Sequence, residues 1–210
     1  MFQRAAVALT AVALIGIVVT IYAVISSTPM FPKSLGSEVG ECPATRNYPA
    51  RRGPVLDDWT ANWYSSELVP FSEQPIFQDK DRDKHVVRLL LNRSFDANVM
   101  VRTVETADGN IRLIAKWMPG NDGCDRTRTH CSIDRPLTNS ERARLRTAQS
   151  QLLGKASYGC HSGVDGQMWI VESSGRGNYG FWSEWSPESG DLRELSLVVL
   201  ALTGWPLQHI

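Results

Sequence analysis

The sequence predicts an α+β protein, in which an N-terminal transmembrane helix precedes one antiparallel-sheet domain covered by helices. Three observations lead there. Residues 5–25, from Ala5 to Ile25, hold no charged side chain. Two strand–turn–strand patterns follow further along the chain. Two amphipathic segments open on helix-capping residues, one at Thr138 and one at Asp191.

The N-terminal run comes first. At ~1.5 Å of rise per residue its 21 residues make a helix of about 31 Å, the thickness of a bilayer's hydrocarbon core. Thr10, Thr20 and Tyr22 are its polar interruptions, and no polar face forms as in a surface helix. Arg4 precedes the run, whereas Pro29, Lys33, Glu38 and Glu41 follow it, which places the N-terminus inside and the remainder outside. A cleaved signal peptide is the rival reading. The run exceeds the usual h-region, and Val24-Ile25-Ser26 is a poor cleavage site, so a retained anchor is expected.

The expected division is residues 1–28 as anchor or uncleaved signal, 29–54 as linker and arm, and 55–210 as the exported domain. The chain carries 22 Lys and Arg against 22 Asp and Glu, a balance that gives no drive towards nucleic acid. The four cysteines all lie beyond the anchor, and an even count in an exported chain reads as two disulfides. Cys124 and Cys131 bracket a short polar loop and are natural partners, leaving Cys42 with Cys160 to tie the arm to the body. Zinc is the alternative, because His130 and His161 each adjoin a cysteine, but no cysteine pair has structural-zinc spacing. No metal or cofactor is expected.

Asp57 or Asp58 should cap a helix carrying Trp59 and Trp63 on one face, ending before Pro70. Strands are expected over 86–95, 99–106 and 111–118, with Asp108-Gly109-Asn110 turning the last two into a hairpin. Residues 119–136 read as a long polar loop. Thr138 and Glu141 form a capping box opening a helix with Leu145, Ala148 and Leu152 on one face and Gly154 at its end. A second hairpin joins 167–172 to 179–185 around the tip 173–178. Pairing Glu172 with Tyr179 places Trp169, Val171 and Trp182 together on the buried face. Asp191 should cap the last helix, with Leu192, Leu195, Val198, Val199 and Leu202 as its core stripe. Helices are expected on one face of an antiparallel sheet.

The densest constellation of candidate functional residues is Asp165, Trp169, Glu172, Arg176, Tyr179, Trp182, Glu184 and Trp185. With its Asp165-Gly166-x₂-Trp169-x₂-Glu172 motif, the Gly-rich tip with Tyr179, Trp185-Ser186-Pro187 and the Leu-rich final helix, the chain resembles a group of exported proteobacterial proteins over about its last 110 residues, the size of a small domain. It departs from them at Gly180 and Phe181, where an aromatic–His pair is usual. The resemblance implies an exported location and a common fold, and it implies no activity.

Glu172 and Glu184 could divide acid and base work. The alternating strand pattern sends them to opposite faces, which argues against a glycosidase pair flanking one bond. Cys160-His161 and Ser162-Gly163 lack the geometry of an activated nucleophile, and the four His are scattered, so no catalytic residue is assigned. Seven Trp can fill the core or stack on a sugar or partner. The expectation is a single-pass inner-membrane protein with its N-terminus cytoplasmic and its C-terminal domain periplasmic. The domain would be non-catalytic and would bind an envelope protein, and the alternatives are a cell-wall-directed hydrolase and a periplasmic immunity-type protein.

Overall fold

The computed structural model of the chain describes residues 29–42, 44, 49–78, 84–119, 131–153, 159–160, 163–175 and 177–207. The anchor expected over residues 1–28 lies outside them, as do Cys124, His130, Gly154, His161, Ser162, Arg176 and His209. Among the described residues no helix is long and apolar enough to cross a membrane.

The architecture is α+β with an antiparallel sheet. A six-stranded sheet is built from β3 (His85–Arg93), β4 (Val99–Glu105), β5 (Ile111–Trp117), β6 (Ser132–Pro136), β7 (Gln167–Gly175) and β8 (Asn178–Trp185). Its order is β6-β5-β4-β3-β7-β8, and every pairing is antiparallel. The arm contributes a separate hairpin of β1 (Val39–Cys42) and β2 (Arg51–Pro54). The helices are α1 (Asp58–Leu68), α2 (Asn139–Leu152) and α3 (Asp191–Ala201).

Strand β3 sits between β4 and β7 and is buried on both sides, which is why Val86 to Leu91 reads as a nearly continuous apolar run. Odd residues Val87, Leu89 and Leu91 join Val101, Leu113, Trp169, Val171 and Trp182 beneath α2 and α3. From the helices, Leu145, Ala148 and Leu152 meet Leu192, Leu195 and Val199 there. On the reverse face Leu90, Met100, Met168, Ile170 and Phe181 pack under the arm and α1, through Met30, Phe31, Leu35, Leu56, Tyr64, Leu68 and Phe71. The sheet is therefore covered on both faces, not on the one face that the helix pattern suggested. The Cys42–Cys160 disulfide closes the arm onto the body. Cys131 is also disulfide-bonded, and its expected partner Cys124 is outside the described residues.

Three local expectations are corrected. Gly175 pairs with Asn178, leaving only residues 176–177 between β7 and β8, with Gly177 at φ 82°. Such a two-residue turn needs positive φ, which glycine adopts freely. Glu172 consequently faces Phe181 rather than Tyr179. A slip of two residues preserves the alternation, so Trp169, Val171 and Trp182 still share a face. Residues 132–136, expected as loop, form edge strand β6, whose half-exposed pattern offers no apolar alternation to read. Gly190, at φ 101°, is the N-cap of α3, and Asp191 is its first helical residue, acting on the positive end of the helix with Glu194.

The other caps follow the sequence. Thr60 N–H donates to the Asp57 carboxylate at 2.8 Å at the start of α1. Thr138 and Glu141 satisfy each other's backbone amides at the start of α2. A short 3-10 turn, Val69–Phe71, carries the chain through Pro70 to Ser72 at φ 56°.

Candidate functional site

The arm face carries an unusual row of charges. Register places Arg88 of β3 directly between Arg102 of β4 and Glu172 of β7. Two arginines opposite one another on neighbouring strands repel. The repulsion is relieved from above by Glu73, which follows the left-handed Ser72 and is held by its N–H donating to the Leu68 carbonyl. Glu73 Oε2 lies 3.4 Å from Arg88 Nη1 and 3.3 Å from Arg102 Nε, bridging both cations. Arg88 Nε donates to Glu172 Oε2 at 2.8 Å, and Nη1 donates to the Gln74 carbonyl at 2.7 Å. Tyr179 O–H donates to Glu172 Oε1 at 2.8 Å, and the Tyr179 ring meets the edge of Phe77.

Arg88, Glu172 and Glu73 are 0–2 % exposed, so two guanidinium groups and two carboxylates neutralise one another within the fold. Burial pushes the Glu172 carboxyl above its ordinary range, against the pull of Arg88 and Tyr179. Burial and the neighbouring Glu172 carboxylate hold the Tyr179 phenol well above its usual value. For Arg88, burial acts to lower the pKa, but the Glu172 and Glu73 carboxylates outweigh it, so the guanidinium stays charged. Both Glu172 oxygens are occupied by protein donors. The cluster fastens the segment after α1 to the sheet.

The eight residues singled out from sequence do not form one site. Glu172, Tyr179 and Trp185 belong to the arm face, where Trp185 packs at the edge of the core. Trp169 and Trp182 are buried on the helix face, Glu184 lies opposite Trp169 in register, and Arg193 sits over the Trp169 ring. Asp165 is exposed on the approach to β7, and Arg176 is outside the described residues. Glu172 and Glu184 thus lie on opposite faces of the sheet. At Gly180 a Cβ would meet the Trp182 ring at 2.2 Å. Among the described residues no group of three or more His, Cys, Asp or Glu could hold a metal ion.

Arg88, Arg102 and Glu73 were missed by sequence reasoning. A readable signal was Arg88 itself, a cation inside Val86 to Leu91, where a strand buried on both faces requires a counter-charge.

A second feature lies on α1. Trp59 is 75 % exposed, and its ring lies 5.9 Å from that of Trp63 at a tilt of 38°; Trp63 is exposed too and lies against Tyr64. Beside them a recess of about 260 Å³ runs between α1, through Asp58, Ala61, Asn62 and Ser65, and the start of the arm at Pro29, Phe31, Pro32 and Lys33.

No family model matches the chain, and no curated protein is significantly similar to it.

Proposed function

We propose that the chain is a membrane-tethered domain displayed on the periplasmic side of an inner membrane, and that it acts by binding an envelope partner rather than by catalysis. The observation that carries this reading is the Cys42–Cys160 bond. Disulfides persist in oxidising compartments, and residues 5–25 have the length and composition of a segment that would deliver the chain there. The positive charge preceding that segment favours an outward-facing domain. Glu172 is not free for acid–base work, because both of its oxygens are engaged by Arg88 and Tyr179 and it is 1 % exposed.

The test is topological. Protease added to intact spheroplasts is expected to digest the domain, and alkylation of the unreduced protein is expected to find no free thiol until reductant is added. A domain that resists protease until the membrane is lysed, with four reactive cysteines, overturns the reading. Pull-down from native membranes then identifies the partner.

A further inference from the structure

We propose that the α1 surface bearing Trp59 and Trp63 rests in the headgroup layer of the same bilayer that residues 5–25 enter. The inference rests on the tethered reading and adds the orientation of the domain. Its geometry begins at the buried pair Met30 and Phe31, 2 % and 3 % exposed, which pin the chain to the arm face one residue after Pro29. Four residue steps separate Ile25 from Pro29, and a fully extended chain covers at most about 14 Å over them. Pro29 shares the walls of the recess with Asp58, Ala61, Asn62 and Ser65 of α1. On the tethered reading, the described chain therefore begins beside this helix, within that reach of the apolar run.

The headgroup layer beyond the hydrocarbon is roughly 5–8 Å deep on each side. Within such a tether, α1 is the helix nearest the membrane. It carries the most exposed Trp among the described residues, next in sequence to Asp58 of the recess wall. Trp favours this boundary because its ring is apolar and its N–H remains wet. The helix contains no Lys or Arg, and Asp57 and Asp58 lie at its start, so the surface suits a zwitterionic interface rather than a cluster of anionic lipids.

Residues 1–28 contain no Trp, so tryptophan emission reports on the domain alone. The full-length chain is reconstituted into phosphatidylcholine vesicles with and without bromine on the acyl chains near the headgroups, and flotation is measured in parallel. The wild type is expected to float and to lose emission in brominated vesicles. The Trp59→Ala/Trp63→Ala variant is expected to float equally, to keep its melting temperature, and to lose most of that quenching. A chain that floats but is quenched no more than the variant overturns the inference while leaving the tether intact. Cross-links through α1 between two copies, without quenching, would give this face to a second copy instead. Failure to float overturns the tether and the docked orientation together.

Discussion

The two faces of the sheet are covered by different kinds of chain, and their chemistry differs accordingly. On the helix face, α2 and α3 satisfy their own backbone hydrogen bonds, so they need only present apolar stripes. The layer between is mainly Leu, Val, Ala, Ile and Trp, with buried Arg93 confined to the end of β3, where it donates to the Ala97 carbonyl. The arm face is covered by α1 together with irregular backbone before and after it, and that backbone arrives with carbonyls that must find donors. Strand side chains reach up to supply them: Arg88 donates to Gln74 and Lys116 to Phe71. Once a guanidinium is committed there, it needs counter-charges, and Glu172 and Glu73 provide them. The buried ions are thus a consequence of covering a sheet with loop.

The largest way to break this comparison is Arg88→Met. It strands two buried carboxylates, leaving Glu172 with Tyr179 and Glu73 with Arg102, and should cost about 3–5 kcal/mol in urea unfolding. Arg88→Met/Glu172→Leu removes the pair and should regain most of that loss, since buried ion pairs are often replaceable by apolar side chains. If the double variant is as unstable as the single one, the Gln74 carbonyl needed its donor more than the charges needed each other.

Removing the Cys42–Cys160 bond comes next. Cys42→Ser/Cys160→Ser opens a closure of 118 residues and should cost about 2–4 kcal/mol. The loss should be uneven. Hydrogen exchange is expected to accelerate in β1, β2 and α1, while β4, β5 and α2 keep their protection. Uniform acceleration across the sheet would mean that the arm and helix faces unfold as one unit.

The same division explains what the sequence made legible. The helix face could be read because Leu145, Ala148 and Leu152 recur at helical spacing behind a capping box, and because Asp108-Gly109-Asn110 demands a turn. The arm could not. Met30, Phe31 and Leu35 lie in a Pro-, Gly- and Ser-rich stretch without a period, yet all three are buried. Alternation in β7 gave the faces of Trp169 and Glu172 correctly, but the β7–β8 register depended on how tight the turn is. Glu172 was visible as a candidate; its partners were not, because Arg88 lies 84 residues away and no local rule joins them. The alternating pattern did separate Glu172 from Glu184, and that relation survives the register correction.

The smallest effect distinguishes the faces by pH. Glu141, at the rim of the helix face, accepts from Arg135 through both oxygens, at 2.6 and 2.9 Å, and from the Thr138 N–H. The Arg135 hydrogen bonds, with help from Thr138, pull its carboxyl down from 4.5 to about 2. A lowered folded-state pKa means that its stabilisation is present above the unfolded value and is lost as pH falls towards about 2. Glu172 has the opposite sign. With its folded pKa raised by burial, its contribution is fullest below the unfolded value and declines as pH rises through the folded one. Glu141→Gln should therefore cost about 1 kcal/mol near neutrality and flatten the loss of stability below pH 4.5. Glu172→Gln removes a gain that accrues on acidification above the unfolded value of 4.5, so it should change the slope above pH 4.5 and leave the limb below it nearly unaltered. Thermal unfolding of the three proteins from pH 7 to 2 reads both slopes, and parallel curves would mean that the two carboxylates sit in electrostatically equivalent surroundings despite their different faces.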